Sequence, residues 1–119
     1  MSATERLTPK FKLWLNGRHV EGVFGDGKWR LLEHIEAQES LRAASAALHI
    51  SYRKAWGDLK KAQTALGIVL IEQQRGGRRG GRTVLTAQGK RWLDAYRRCR
   101  RDIETAVETA FARFFDEVG

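Results

Sequence analysis

A mainly α-helical fold with two small β hairpins is what the sequence predicts, and three observations predict it. Two capped helical runs, Leu41 to Leu48 and Tyr52 to Leu66, are separated by only a few residues. Two β-prone stretches, Ile68 to Gln74 and Arg82 to Thr86, then flank a segment built from arginine and glycine. An amphipathic run from Ala87 to Phe115 follows, longer than so small a chain covers by itself.

Composition narrows what such a fold does. The 119 residues are 42% hydrophobic and 30% charged with a single Pro, the balance of a folded domain and not of a disordered segment. That length is about one domain, so one site or one binding surface is expected. The net charge of +8 is unevenly spread: seven basic and six acidic residues through position 50, fourteen and three from 51 to 101, one and five from 102 to 119. So basic a middle block points to a polyanion, most economically nucleic acid, with the acidic end facing elsewhere. An anionic membrane would require an apolar anchor, and no stretch is long and apolar enough to span a bilayer or act as a signal sequence. Cys99 is the only cysteine, which excludes an internal disulfide and points to a reducing cytoplasm. His19, His34 and His49 stand fifteen residues apart without an acidic or cysteine pair at ligand spacing. No nucleophile and base or paired carboxylates lie at catalytic spacing either, so neither a metal centre nor an enzyme is expected.

Each element has its own local cause. Residues 1–9, ending at Pro9, read as a loose lead-in. Over residues 10–24, Phe11, Leu13 and Leu15 alternate with Lys10, Lys12 and Trp14; Asn16-Gly17 favours the positive φ angles of a tight turn, and Val20 to Phe24 supplies the return strand. Asp26 is placed to cap a helix from Gly27 to Gln38 that turns Trp29, Leu32 and Ile35 inward. Ser40 caps the alanine-rich helix that follows. After His49 and Ile50, Ser51 caps the next, where Ala55, Leu59, Ala62 and Leu66 make one buried stripe and Gly67 ends it. Two helices joined by so short a turn form a helix-turn-helix, whose second helix is the one offered to DNA. The two strands beyond it are a wing, so residues 27–85 read as a winged helix-turn-helix core. Thr86 caps the last helix, residues 87–115, roughly 45 Å long at about 1.5 Å per residue. Its stripe runs Trp92, Tyr96, Cys99, Ile103, Ala106, Ala110, Phe114, widened by Val107 and Phe111. Trp92 and Tyr96 belong to the home core, and His34 and Cys99 read as ordinary packed residues. Ile103, Ala106, Val107, Ala110, Phe111 and Phe114 are assigned to a homodimer seam, which makes this a dimerisation helix.

The contact residues follow from helical phase. With the stripe inward, Arg53, Gly57, Lys60, Lys61 and Thr64 face out, flanked by Tyr52, Lys54 and Trp56. The first turn enters the major groove deepest, where Arg53 and Lys54 suit guanine O6 and N7 and Tyr52 suits a thymine methyl or a phosphate. Gly57 permits close approach. Ser40 and Ser51 offer hydroxyl and backbone N–H to phosphates. Lys60 and Lys61 also fit a plain solvated face, and Trp56 fits the core as well as a contact. In the wing, Arg75, Arg78, Arg79 and Arg82 supply charge for phosphate or minor groove, and Gly76, Gly77, Gly80 and Gly81 let backbone approach closely.

Two longer strings carry a resemblance. "ESLRAASAALHISYRKAWGDLKKAQ" (Glu39 to Gln63) and "RGGRRGGRTVLTAQGKRWLDAYRR" (Arg75 to Arg98) resemble the N-terminal DNA-binding domain of ModE-type, molybdate-responsive regulators. The Ser-Tyr-basic-x-Ala-Trp signature stands as Ser51, Tyr52, Arg53, Ala55 and Trp56. The wing motif stands as Gly76 to Gly81, followed by Leu85, Thr86 and Gly89. "LHIS", Leu48 to Ser51, is distantly similar to the LysR type. His49 occupies a turn position where ModE relatives usually have glycine, which requires a positive φ of it. The resemblance implies sequence-specific double-stranded DNA binding as a homodimer. Full-length members carry C-terminal oxyanion-binding domains and this sequence ends where they would begin, so no cofactor is expected and molybdate or tungstate sensing is not implied for this chain alone. The alternative is sequence-independent architectural DNA or RNA binding led by the arginine-glycine segment. A third reading, a protein-interaction module, has the long helix dock a partner.

Overall fold

The computed structural model describes residues 2–76 and 81–118. Among the described residues the chain runs α1 (Ala3–Arg6), β1 (Trp14–Leu15), β2 (Phe24–Gly25), α2 (Asp26–Gln38), α3 (Leu41–Ala47), α4 (Tyr52–Leu66), β3 (Ile71–Gln74), β4 (Arg82–Leu85) and α5 (Ala87–Phe115). The mainly helical winged-helix arrangement expected from the sequence is the one observed.

Helices α2, α3 and α4 close around Leu31, Leu32, Ile35, Leu41 and Leu59, all fully buried. Phe24, Leu70 and Leu93 complete that core from β2, the approach to β3 and the start of α5. The wing strands are antiparallel, pairing Ile71 with Leu85 and Gln74 with Arg82. Their inner edge is held to α2, because the Thr83 N–H donates to the Glu39 carbonyl at 3.0 Å. β3 starts at Ile71 and not at Ile68, since the Leu70 and Ile71 N–H groups both donate to the Gln63 side chain, at 2.8 and 3.1 Å. Side-chain capture there replaces ladder pairing.

The α5 entry shows why its first turn carries Thr and Gly. Thr86 accepts from the Gly89 N–H at 2.8 Å as the cap, and its own N–H donates to the Leu70 carbonyl at 3.0 Å. A Cβ on Gly89 would lie 2.1 Å from that same carbonyl oxygen, so only glycine lets helix and chain cross here.

Three sequence-based expectations are corrected in the N-terminal third. Asp26 does not cap α2; Gly25 holds the cap position without a side-chain bond. Instead the Asp26 carboxylate accepts from Arg100 at 2.9 Å through both oxygens, from the Tyr96 hydroxyl at 2.7 Å and from the Leu13 N–H at 3.2 Å. A partner on a distant helix outcompetes local capping because the guanidinium satisfies both carboxylate oxygens at once. The hairpin is not closed by Asn16-Gly17 as a two-residue turn either. Only Trp14 and Leu15 pair with Gly25 and Phe24, Asn16 Oδ1 accepts from the Gly22 N–H at 2.7 Å, and Gly22 takes the positive φ, 68°. The lead-in contains the helical turn α1, where the Thr4 hydroxyl donates to Asp116 at 2.9 Å beside the far end of α5.

Acidic residues of α2 and basic residues of α5 extend the Asp26 contact. Arg97 donates through Nε to Glu33 at 2.8 Å and through Nη2 to Glu36 at 2.6 Å, and the Trp29 indole donates to Glu33 at 2.8 Å. Phe24 meets the rings of Tyr96 and Trp92 edge-on, with centroids 5.0 and 5.3 Å apart. Trp29, expected to turn inward, is only half-buried and leans on this layer.

The Arg100 guanidinium, with the Tyr96 hydroxyl, lowers the Asp26 pKa from 3.8 to about 2 against the opposing effect of burial. A depressed folded-state pKa stabilises above the unfolded value and loses that contribution as pH falls through the folded one. Asp26→Asn is therefore expected to cost about 2 kcal/mol in urea unfolding at pH 7, and the gap to wild type should close between pH 4 and pH 2. An equal gap at both ends of that range would show that the carboxylate charge contributes nothing.

Candidate nucleic-acid interface

Helix α4 presents its faces as the apolar period requires. Ala55, Leu59 and Ala62 are buried, while Arg53, Lys60, Lys61 and Thr64 are exposed on the other side. Ser51 caps it, accepting from the Lys54 N–H at 3.0 Å, and Gly67 ends it at φ 71°. Ser40 caps α3 in the same way, accepting from the Ala43 N–H at 3.0 Å. Both hydroxyls thus already hold a backbone donor. Between the helices His49 adopts φ 58°, the left-handed conformation its place in the turn demands. The Ile50 N–H returns to the Ser45 carbonyl at 3.0 Å and tightens the corner.

Among the outward residues the structure separates free cations from engaged ones. Arg53 is exposed in the first turn of α4, with no acidic partner among the described residues. Lys54, beside it, is paired with Asp58 at 2.9 Å. Trp56 is half-buried and packed against the core, with the Lys60 ammonium 5.9 Å from its ring centroid, so the packing alternative describes its place in the free chain. Gly57 is open: a Cβ there would meet nothing within 4 Å. Tyr52 opens α4 at 39% exposure, with the Arg42 guanidinium carbon 4.7 Å from its ring centroid. Helical phase on α4 alone gave no sign of Arg42, which belongs to α3. A count of exposed cations in the first turns of both helices would have found it.

In the wing, Arg82 is tied to Glu39 at 2.9 Å and to Gln74 at 3.1 Å, which anchors the root of the hairpin to the end of α2. Arg75 and Gly76 are exposed, Gly76 at φ 142°. Gly81 brings the chain back so close that a Cβ would stand 3.0 Å from the Gln74 carbonyl. Gly77, Arg78, Arg79 and Gly80 lie outside the described residues.

Along α5, Gly89, Leu93 and Tyr96 are the buried positions. Cys99 is exposed, contrary to expectation, because Arg100 and not Cys99 occupies the inward position one turn beyond Tyr96. Farther out, Ile103, Val107 and Phe111 are half-buried, whereas Ala106, Ala110 and Phe114 are exposed, Phe114 at 62%. Phe111 stacks on Phe115 at 5.2 Å. No described helix is long and apolar enough to cross a membrane.

A helix-turn-helix whose second helix shows an uncommitted arginine, followed at once by an antiparallel hairpin, defines a winged-helix DNA-binding regulator. A family model for bacterial regulatory helix-turn-helix proteins of the lysR family matches residues 27–90, more than half of the chain, and the chain belongs to that family. The expected likeness to ModE proteins is found as well. The molybdenum transport protein ModE of Azotobacter vinelandii is 31% identical over 100 residues, covering 84% of this chain and 37% of the relative. The DNA-binding transcriptional dual regulator ModE of Escherichia coli K12 is 33% identical over 66 residues, 56% of this chain and 25% of the relative. The chain thus spans well under half the length of these relatives. Its fold is similar to a chain in the crystal structure of a CbnR_DBD–DNA complex, with a TM-score of 0.58 and 23% identity over 73% of this chain and 94% of the other.

Gly57 offers a test of how near α4 comes to DNA. Gly57→Ala should stabilise the free protein by about 1 kcal/mol, the usual gain on replacing a mid-helix glycine. On a mixed-sequence duplex the same methyl should weaken binding about tenfold by overpacking the contact. Stabilisation without weaker binding would mean that the helix stands off the groove at this position.

Proposed function

We propose that the protein is a ModE-like, sequence-specific, double-stranded DNA-binding transcriptional regulator that acts in the cytoplasm as a homodimer. The observation that carries this reading is Arg53, free and exposed in the first turn of the helix that the family offers to DNA. Arginine in that position donates a bidentate pair to guanine in the major groove. Ser51, Tyr52 and the open Gly57 surround it on one face, with Lys60 about two turns beyond. The wing, with Arg75 and the segment Gly77 to Gly80, supplies charge to the flanking backbone or minor groove. Arg82 serves as its anchor to Glu39.

The exposed Ala106, Ala110 and Phe114, together with Ile103, Val107 and Phe111, form the seam with a second copy, so two recognition helices face a pseudo-palindromic site. An apolar face on a projecting half-helix favours this over an isolated chain.

Arg53→Ala should abolish the preference for a duplex enriched by in vitro selection over a mixed-sequence duplex, at a cost of roughly 1–3 kcal/mol on the preferred one. Equal weakening on both duplexes would remove Arg53 from base reading. Wild-type binding that never discriminates between duplexes would favour the architectural alternative. For the seam, Phe111→Asp combined with Phe114→Asp should convert the sedimenting species from dimer to monomer; a wild-type chain that is monomeric at every concentration would overturn it.

A further inference from the structure

Arg42 is the cation on the α3–α4 surface for which no role has been assigned. It is exposed, and among the described residues its side chain has no carboxylate partner and donates no hydrogen bond. What holds it is the Tyr52 ring, whose centroid lies 4.7 Å from the guanidinium carbon. Lys54 and Arg82 show the opposite arrangement, each held by a carboxylate at 2.9 Å. That contrast has a chemical meaning. A carboxylate uses up the N–H groups of its partner and neutralises its charge, whereas an aromatic face does neither. A ring-held guanidinium keeps its charge and its five donors while its rotamer freedom is already restricted, so less order is lost when an anion arrives.

We infer that Arg42, pre-positioned by Tyr52, is a phosphate-binding residue that grips the DNA backbone beside the recognition helix. The inference rests on the proposed DNA binding and deepens it. In a helix-turn-helix the first helix crosses the backbone while the second lies in the groove, so a cation on α3 meets phosphate and not a base edge. Tyr52 is then a positioning residue: its ring, more than its hydroxyl, sets how the backbone is held. The Arg42–Tyr52 pair also fixes the approach of Arg53, the next residue along, to the groove floor.

The experiment measures fluorescence anisotropy on a 30-base-pair mixed-sequence duplex at a series of salt concentrations. Arg42→Ala should lower the slope of log affinity against log salt by about 0.9 and weaken binding about eightfold at 0.1 M salt, the contribution of one phosphate contact. Arg42→Lys, which keeps the charge without a planar stack, should retain the slope. Tyr52→Leu should bind two- to fivefold more weakly, as expected for losing an exposed cation–π contact. In the Arg42→Ala background, Tyr52→Leu should have a smaller effect than in wild type. An unchanged slope in Arg42→Ala, with wild type binding normally, overturns the phosphate contact; full additivity of the two substitutions overturns the positioning role. A selected duplex losing more affinity than the mixed one would make Arg42 a base reader and also contradict the inference. Wild type that binds no duplex would instead remove the DNA-binding reading beneath it.

Discussion

The Asp26 carboxylate is the contact on which the geometry of this molecule depends. It joins the first residue of α2 to the Leu13 backbone and, on α5 far along the chain, to the Tyr96 hydroxyl and the Arg100 guanidinium one turn apart. Arg100 also lies over the rings of Phe11 and Trp29, at 4.5 and 4.6 Å. Side-chain exposures of 12% for Asp26 and 17% for Arg100 put the pair where breaking one partner leaves a poorly solvated charge. With Arg97 bridging Glu33 and Glu36, α5 is fixed in direction as well as position relative to the helix-turn-helix. That direction matters because the far half of α5 carries the proposed seam, so these ion pairs set where a second recognition helix would stand.

The same bonds divide the positive charge into two populations. Five of the fourteen basic residues between 51 and 101, namely Lys54, Arg82, Arg97, Arg98 and Arg100, have acidic partners among the described residues. Arg97 and Arg100 are structural; Arg82 anchors the wing. The charge available to a polyanion is therefore smaller than the sequence count suggests; on the helix-turn-helix it includes Arg42 and Arg53, exposed in the first turns of α3 and α4. In the proposed complex, electrostatic attraction would orient an approaching duplex toward these two arginines, while Asp102, Glu104 and Glu108 lie along the outer half of α5.

Local signals in the sequence were read well wherever the deciding physics is local. The caps Ser40, Ser51 and Thr86, the termination at Gly67 and the span of α5 all depend on neighbours within a turn. The stripe Ala55, Leu59, Ala62 likewise reports burial directly through its period. What escaped were contacts across the chain. Asp26 has the chemistry of a cap, and nothing near it announces Arg100, 74 residues on. Asn16-Gly17 favours a tight turn, but the Val23 and Phe24 side chains must reach the core, and that draws the turn out to Gly22. The inward register of α5 at Arg100 in place of Cys99 has the same origin, since a buried carboxylate makes an arginine the residue that fits inside. Within the site, Arg53 and Gly57 were legible from helical phase, whereas Arg42 required knowing that α3 lays it on the Tyr52 ring.

An α5 held rigidly against each helix-turn-helix gives the proposed dimer a fixed spacing between its two recognition helices, and that spacing is imprinted on DNA. Hydroxyl-radical footprinting on a selected duplex measures it directly. Two equivalent protected segments on one side of the helix, with centres about 10 base pairs apart or a whole multiple of a helical turn, are the expected result. A single protected segment, or protection of every phosphate without periodicity, would contradict a pair of rigidly mounted recognition helices.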